Sequence, residues 1–275
     1  GSDPRSGGRL VSGSQRGQRG DLRGPFGASR EGVLTPYWQS GDGRLVIHHG
    51  NALDIMAAFP EASIDTVVTD PPYFLPASHY SVRDRSFRSL GDLSILEHFA
   101  RDVFTGMFRV LRSDGFLYSF CDGQSYPVFY VSAYPHVARV RPIIWDKLVS
   151  INGFGWRHQH EIILFAEAAN APRVSTGDGD VIRSRAVPIS ERLHLAEKPV
   201  ELLSKLIGKT TPDDGLVFDP FVGSGSTLLA AQSLGKRAIG IEIEERYCEI
   251  AAKRLEDPPM LAAVKAKQAN LFEVA

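Results

Sequence analysis

Residues 215–243 read GLVFDPFVGSGSTLLAAQSLGKRAIGIEI, and this stretch decides the fold. A short apolar strand (215–219) runs into a glycine-rich turn, an apolar helix follows, and a second strand (237–243) carries Glu242 at its end. Glycines at a strand-to-helix turn let the backbone approach a ligand closely, and exposed amides at the helix start favour an anionic group. The stretch therefore predicts part of an α/β domain that binds its ligand beyond the carboxyl ends of the strands.

The alternation of strands and helices continues outward from this stretch. Further strands are predicted at 44–49, 64–69, 115–121, 137–145 and 159–166. Helices are predicted at 52–59, 94–111, 199–209, 226–234 and 244–255. The strands at 137–145 and 159–166 have no helix between them and are expected to pair antiparallel. Six or seven strands interleaved with helices predict a three-layer α/β domain with a mainly parallel sheet.

The composition of the 275 residues suits one globular domain and excludes a disulfide-stapled miniprotein, because 43% are hydrophobic and 23% charged. The net charge of -1 conceals a glycine-rich segment, residues 1–32, with six arginines and three acids, so that residues 33–275 sum to -4. We predict a flexible basic arm at 1–32 and a single folded domain at 33–275. Because the chain opens with Gly1-Ser2 and not with Met, part of the arm is expected to be a tag.

Cysteine usage and hydropathy bear on the compartment. The two cysteines, Cys121 and Cys248, lie far apart and give no disulfide framework, which favours a reducing cytoplasm. No stretch approaches the roughly 18 uninterrupted apolar residues of a membrane span, and no secretory leader is visible. We therefore expect a cytoplasmic protein.

Residues 64–74, IDTVVTDPPYF, form the second informative stretch, an apolar strand that runs straight into Asp70. The two prolines remove backbone donors and stiffen the turn, which leaves the Asp70 carboxylate and the Pro71 carbonyl free to accept hydrogen bonds. Tyr73 adds a flat surface on which a base can stack. A second Asp-Pro-Pro, at 257–259, follows a helix, lacks the aromatic residue and is predicted to be a helix stop.

Three kinds of site compete for the glycine turn. A phosphate-binding P-loop requires a lysine before the Ser/Thr, and none is present here. A dinucleotide fingerprint is weakened because Leu228 occupies its third small-residue position. An S-adenosylmethionine site remains, in which the anion is a carboxylate and Glu242 binds two ribose hydroxyls. A solvated Glu242 is the less favoured alternative.

Together these motifs resemble those of the DNA amino-methyltransferases of the β class, a circularly permuted group. Asp70–Tyr73 matches the catalytic tetrapeptide, and 219–225 matches the cofactor motif, placed downstream as in that class. Further similar segments are 49–54, with Asn51 where aspartate is more usual, 144–147, 160–165, and 194–199, with Leu195 in place of a proline. The resemblance covers roughly residues 44–256, and several ordered motifs make it specific.

The resemblance implies a Rossmann-like, seven-stranded, mostly parallel sheet, S-adenosylmethionine as cofactor and double-stranded DNA as substrate. An aspartate opening the tetrapeptide is more typical of adenine N6 transfer and a serine of cytosine N4 transfer, so Asp70 favours adenine. Cytosine N4 transfer and a non-catalytic DNA-binding module that keeps the cofactor fold stay open. Cytosine C5 transfer needs a Pro-Cys dipeptide, which the sequence lacks. A cognate restriction enzyme is a further candidate partner, and the oligomeric state stays open.

Site residues also follow from the resemblance. The implied catalytic residues are Asp70, Pro71, Pro72 and Tyr73. The implied cofactor-binding residues are Asn51, Ala52, Asp70, Lys198, Asp219, Phe221, Gly223, Ser224, Gly225, Ser226, Thr227 and Glu242. The expected mechanism is direct methyl transfer to the exocyclic amine of a flipped-out base, with Asp70 and the Pro71 carbonyl accepting the amine N–H bonds. Lys198 and the turn are expected to face the cofactor's carboxylate.

DNA contacts are expected from the variable segments. A basic and aromatic loop at 75–93 is predicted to close over the flipped nucleotide, and a short region at 168–192 to recognise the target. The candidate DNA-binding residues are Phe74, Arg83, Arg85, Arg88, Arg183 and Arg185. No metal site is predicted, because His158 and His160 lack a third ligand with supporting spacing.

Overall fold

The computed structural model describes residues 35–73, 93–148, 155–174, 177–188, 190, 197–257 and 260–266. The predicted basic arm at 1–32 and residues 75–92 of the predicted substrate loop lie outside the described residues.

A single mixed sheet forms the centre of the described structure. Its strands are β1 (Trp38–Gln39), β2 (Leu45–His49), β3 (Ile64–Thr69), β4 (Leu111–Cys121), β5 (Arg139–Asp146), β6 (His160–Glu167), β7 (Val181–Arg183), β8 (Leu216–Asp219) and β9 (Arg237–Glu242). Their order across the sheet is β1-β2-β9-β8-β3-β4-β6-β5-β7.

The strand directions agree with the predicted α/β class. β2, β9, β8, β3 and β4 run parallel to one another. β6 runs antiparallel to both β4 and β5, which confirms the predicted antiparallel pair. All seven predicted strands are present, and the described sheet adds two edge strands, β1 and β7. These contain two and three residues, too few for an alternating pattern to show in the sequence.

Helices cover both faces of the sheet. They are α1 (Ala52–Ala58), α2 (Leu93–Val110), α3 (Tyr126–Ala133), α4 (Val200–Thr210), α5 (Ser226–Ser233) and α6 (Glu245–Leu255). Sequence patterns missed only α3 among these, because that short helix is apolar on most sides and shows almost no amphipathic periodicity. Of the helices in the described ranges, none combines the length and apolar character needed to cross a membrane.

The buried side chains form two clusters, one on each side of the sheet. Helices α4, α5 and α6 contribute to one cluster, represented by Leu206, Leu229 and Ala251. Helices α1, α2 and α3 contribute to the other, represented by Met56 and Phe104. This arrangement confirms the three-layer prediction. Both cysteines are buried free thiols, in keeping with the expectation that they form no disulfide framework.

The carboxyl edge of the sheet positions the candidate site. In a parallel sheet the ends of neighbouring strands lie side by side, so the residues after β2, β9, β8 and β3 lie close to one another. β6 runs the opposite way, and its first residues therefore lie at this same edge. The last residues of β5 join them, because β5 is antiparallel to β6.

Candidate active site

Two strand ends meet at the middle of the carboxyl edge. β3 ends at Thr69, immediately before Asp70, and the neighbouring β8 ends at Asp219. The Thr69 hydroxyl donates a buried hydrogen bond of 2.7 Å to Asp219 Oδ1, across a separation of 150 residues in the chain. The sheet thus brings the Asp-Pro-Pro-Tyr motif next to the glycine turn.

The turn between β8 and α5 depends on its glycines. Gly223 and Gly225 have φ angles of 51° and 87°, in the left-handed region that favours glycine. A Cβ on Gly225 would lie 2.9 Å from the Cβ of Ala251, so α6 packs directly against the turn. The first amides of α5, which begins at Ser226, have no acceptor within the helix. The turn can therefore offer backbone amides and hydroxyls to an anionic group.

Asp219 is buried and is satisfied by neutral donors. Its carboxylate accepts hydrogen bonds from the Thr69 hydroxyl, from the Phe221 amide at 3.0 Å and from the Thr227 side chain. Burial raises the pKa of Asp219 to about 6, although these hydrogen bonds oppose the rise. Beside it, the Phe221 ring packs against Phe99, with 5.9 Å between ring centroids.

Glu242 closes the other side of the turn. One carboxylate oxygen accepts from the Gly223 amide and the other from the Glu244 amide, both at 2.9 Å. Burial raises the pKa of Glu242, and the two amides oppose that rise. Asn51 lies nearby, since the Gly50 amide donates to the Glu242 carbonyl at 2.8 Å. The Asn51 side chain accepts from the Leu53 amide and caps α1, which starts at the buried Ala52.

A chain of alternating charges lies around Asp70. The Lys198 ammonium is 2.6 Å from Asp70 Oδ2 and 3.3 Å from Glu161 Oε2. Glu161 Oε1 is in turn 2.5 Å from the Lys147 ammonium. Lys198 is 7% exposed, and its ammonium also lies 5.0 Å from the centre of the Phe120 ring. The order lysine, glutamate, lysine, aspartate lets each buried charge face an opposite one.

These contacts shift the pKa values of the group in a consistent way. Burial favours the neutral amine of Lys198, but the carboxylates of Asp70 and Glu161 outweigh it and raise the Lys198 pKa above its usual range. Burial raises the pKa of Asp70, and the Lys198 ammonium opposes this rise. For Glu161, burial is outweighed by the two lysines, which lower its pKa. Lys198 is therefore protonated, and its ammonium favours the carboxylate form of Asp70.

The second oxygen of Asp70 differs from the first. Asp70 Oδ1 is buried and has no hydrogen-bond partner among the described residues. A buried acceptor without a partner is costly, by about 1–3 kcal/mol, and native structures seldom keep one without a reason. Tyr73 packs partly against the core beside it, and burial raises the pKa of its hydroxyl far above the usual value. The site thus offers one empty acceptor next to an aromatic ring.

Comparison with known proteins assigns the family. Residues 64–253 match the sequence profile of a family described as DNA methylase. This chain belongs to the DNA methylase family. YubD of Escherichia coli (strain K12), which carries the name of a methylase, is 32% identical over 211 residues, 75% of this chain and 88% of YubD. Other relatives are named Type II methyltransferases.

Solved structures share the fold of this methylase. A structure titled as the M1.HpyAVI-SAM complex aligns with a TM-score of 0.60 and 23% identity, over 77% of this chain and 99% of that one. A structure titled as PvuII DNA methyltransferase (cytosine-N4-specific) aligns with a TM-score of 0.66 and 16% identity, over 86% and 95%. These matches confirm the predicted methyltransferase fold, and with the family match they confirm the resemblance to the DNA amino-methyltransferases.

The predicted DNA-binding residues of the methylase are only partly covered by the structure. Phe74, Arg83, Arg85 and Arg88 lie outside the described residues. Arg183 ends β7 at the carboxyl edge, is 75% exposed and has its Nε 3.7 Å from Asp146 Oδ2. Arg185 follows in an exposed position. Both described arginines therefore lie at the same carboxyl edge of the sheet as Asp70. Their contact with DNA stays a prediction.

Sequence reasoning missed several residues that the structure brings to the candidate site. Glu161 and Lys147 were matched only as parts of strands, yet they complete the charge chain around Asp70. The sequence did contain a signal for Glu161. A glutamate directly before the apolar run of β6 needs a cationic partner when it is buried. Arg254 and Glu197 were also missed, although Arg254 lies three residues after Ala251 on the apolar side of α6. Lys198, expected to face the cofactor's carboxylate, lies beside Asp70, and its cofactor contact stays a prediction.

The histidine pair at positions 158 and 160 lies within the described residues. His158 and His160 stack with 5.3 Å between ring centroids. Across the described ranges, no three His, Cys, Asp or Glu side chains are grouped so that they can hold a metal ion.

Proposed function

We propose that this DNA methylase transfers a methyl group to the N6 amine of an adenine flipped out of double-stranded DNA. The observation that carries the proposal is Asp70, which Lys198 holds through Oδ2 while the buried Oδ1 has no partner in the described chain. An exocyclic amine offers two N–H donors, which match two acceptors at the end of β3: Asp70 Oδ1 and the Pro71 carbonyl. The aspartate at the start of the tetrapeptide supports adenine over cytosine.

The methyl donor is S-adenosylmethionine, in accord with the family and with neighbouring structures that contain it. The residues at the carboxyl edge fit this group chemically. The first-turn amides of α5 and the hydroxyls of Ser224 and Ser226 suit its carboxylate, while the Thr227 hydroxyl donates to Asp219. The Glu242 carboxylate suits two ribose hydroxyls, and Asn51 and Ala52 lie beside it. Asp219 and Phe221 lie between this end and Asp70, where the methionyl part and the sulfonium are expected.

The role of Asp70 in the reaction follows from its two oxygens. S-Adenosylmethionine supplies an electrophilic methyl group when it is bound. Asp70 Oδ1 and the Pro71 carbonyl accept the two N–H bonds of the amine, which directs the nitrogen lone pair toward that methyl group. As the nitrogen–methyl bond forms, the bond from the methyl carbon to sulfur would break and positive charge would develop on the nitrogen, where the Asp70 carboxylate stabilises it. The methylated nitrogen would then lose one proton to solvent. Lys198 contributes by opposing the rise that burial imposes on the pKa of Asp70 and by fixing its carboxylate, at 2.6 Å from Oδ2.

Base flipping accounts for the aromatic part of the site. An amine inside a duplex is hidden, so the base must leave the stack at a cost of about a few kcal/mol. Tyr73, which follows the two prolines, supplies a surface for the extruded base, with Phe74 as a second candidate. Arg183 and Arg185, exposed at the carboxyl edge, are candidates for phosphate contacts near the target.

Cytosine N4 methylation is the second candidate function. Cytosine also carries an exocyclic amine, so the same two acceptors serve it, and a cytosine-N4-specific enzyme shares the fold. A non-catalytic DNA-binding module is disfavoured, because such a module has no need of an empty buried acceptor beside the glycine turn.

Nucleoside analysis separates the three functions. Unmethylated DNA is incubated with the protein and S-adenosylmethionine, digested and examined by mass spectrometry. We expect N6-methyladenine. N4-methylcytosine alone would replace the proposal with the second candidate, and the absence of both modified bases would support the non-catalytic module. The Asp70→Ala protein is the matched negative control, since it retains the glycine turn.

A further inference from the structure

Arg254 is a buried cation that contacts the glycine turn and was assigned no role above. It lies on α6 and is 8% exposed. One guanidinium nitrogen donates to the Ser224 carbonyl at 2.8 Å, to the Ser224 hydroxyl at 3.0 Å and to the Ser226 hydroxyl at 3.2 Å. The other terminal nitrogen donates to Glu197 Oε1 at 2.8 Å. A single side chain therefore joins α6, the turn and the segment before α4.

The packing of α6 explains how the guanidinium reaches the turn. Ala251 and Arg254 are three residues apart and so share a face of the helix. Ala251 comes so close to Gly225 that a Cβ there would lie 2.9 Å from its own Cβ. This close approach requires a glycine on one side and a small residue on the other. It places the longer Arg254 side chain under the oxygens of Ser224 and Ser226.

The hydrogen bonds of Arg254 determine whether the hydroxyls of the turn act as donors or as acceptors toward a ligand. A serine hydroxyl has one donor and two acceptor positions. Since Ser224 and Ser226 accept from Arg254, their hydroxyl protons can be donated to a ligand. Glu197 balances the guanidinium charge, so the preference of the turn for an anion comes from these hydroxyl donors and the first amides of α5. The ion pair with Glu197, which is 5% exposed, is enough to balance the buried charge of Arg254. The hydrogen bonds from Arg254 to the turn are therefore not needed for its burial.

We propose that Arg254 is a positioning residue that prepares the glycine turn for the carboxylate of S-adenosylmethionine. The proposal rests on the assignment of the turn to the cofactor under the proposed function. Arg254 acts through Ser224 and Ser226 and does not itself touch the reacting atoms. Its effect is therefore confined to ligands that carry the amino-acid end of the cofactor.

Two ligands separate this role from a general stabilising one. S-Adenosylmethionine carries the amino-acid carboxylate, whereas 5′-methylthioadenosine has the same nucleoside and lacks that end. Dissociation constants for both are measured by calorimetry on the wild type and on Arg254→Lys, without DNA. Lysine keeps the charge but loses the planar fork that bonds the turn and Glu197 together. We expect affinity for S-adenosylmethionine to fall about tenfold and affinity for 5′-methylthioadenosine to stay within about twofold.

Arg109→Lys is the matched control. Arg109 lies near the end of α2 and donates to the carbonyls of Phe59 (2.9 Å) and Met56, away from the turn. Its replacement is expected to lower the melting temperature and to leave both dissociation constants unchanged. A fall in the affinity of Arg254→Lys for both ligands by the same factor, or for neither, would overturn the proposal.

A second variant keeps the proposal testable if Arg254→Lys does not fold. Ser224→Ala with Ser226→Ala removes the hydroxyls and leaves the ion pair of Arg254 with Glu197 in place. It is expected to show the same selective loss of affinity for S-adenosylmethionine, and an equal loss for both ligands would count against the proposal. Because binding is measured without DNA, failure of the wild type to methylate DNA would refute the proposed function and leave this comparison intact.

Discussion

Two buried aspartates end neighbouring strands at the carboxyl edge, and their partners differ in kind. Asp219, after β8, is surrounded by hydroxyl and amide donors, and the structure describes no cation beside it. Asp70, after β3, pairs with the Lys198 ammonium through one oxygen, and its other oxygen has no hydrogen-bond partner among the described residues. Both lie in the same sheet, one strand apart, so burial alone does not account for the difference.

Under the proposed function, the comparison separates a carboxylate that shapes the site from one that contacts the reacting amine. Neutral donors fix the geometry of Asp219 but leave it with a pKa of about 6, because they only partly offset burial. Burial raises the pKa of Asp70 as well, but there a full ammonium opposes the rise, and Oδ1, which has no partner among the described residues, is the acceptor that the proposed function assigns to the substrate. Changes at Asp70 should therefore affect the rate of transfer, and changes at Asp219 should affect stability and cofactor binding.

The largest effect is expected from Asp70→Ala. It removes an acceptor and the charge that stabilises the amine in the transition state, so the transfer rate should fall by at least about 100-fold. The affinity for S-adenosylmethionine should fall far less, as single-turnover assays and calorimetry will show. The control is Asp65→Asn, on the same strand, where the carboxylate instead accepts from the Leu216 amide and pairs with Arg112. An Asp70→Ala protein that transfers methyl groups at the wild-type rate would contradict the proposed mechanism.

Lys198→Met is the next test, and its signature is a pH profile. Burial raises the pKa of Asp70 and the ammonium opposes the rise, so removal of the ammonium lets that pKa rise further. Activity that requires the carboxylate then appears only at higher pH. We expect about a tenfold or greater loss of kcat/KM at neutral pH, with partial recovery in alkaline buffer. A loss that is equal at every pH would indicate that Lys198 has only a structural role.

Asp219→Asn tests the other aspartate, through stability. A folded-state pKa of about 6 against an ordinary 3.8 means that ionisation destabilises the folded form. The penalty grows between roughly pH 4 and pH 6 and reaches about 3 kcal/mol above that range. Asparagine keeps an acceptor and removes the charge, so the variant should gain more thermal stability over wild type at pH 8 than at pH 5. A gain independent of pH would show that folding does not raise the pKa of Asp219.

Most of the fold and the two continuous motifs of the candidate site were predictable from sequence. The glycine turn and the tetrapeptide are continuous segments, and each follows an apolar strand, so their chemistry and their edge of the sheet can be predicted. Strands β1 and β7 were missed because segments of two or three residues are too short to show an alternating hydrophobic pattern. Glu161, Lys147, Glu197 and Arg254 were missed because their roles depend on partners far away in the chain. Arg254 and Glu197, for example, meet across a separation of 57 residues.

Glu161→Gln is expected to have the smallest effect on rate. It is informative because of the direction in which it shifts the pH profile of activity. The Glu161 carboxylate raises the pKa of Asp70, so its removal lowers that pKa and moves the acid limb of activity to lower pH, opposite to Lys198→Met. The loss of one partner of Lys198 should reduce kcat by about two- to tenfold.

Glu167→Gln is the matched control for this variant. Glu167 is also buried on β6 and ion-paired, with Arg139 and Arg141, but it lies at the opposite end of the strand. It should lower the melting temperature without moving the pH profile. If both variants leave the acid limb unchanged, the charge chain does not tune Asp70, and the contrast between the two aspartates then depends on Lys198 alone.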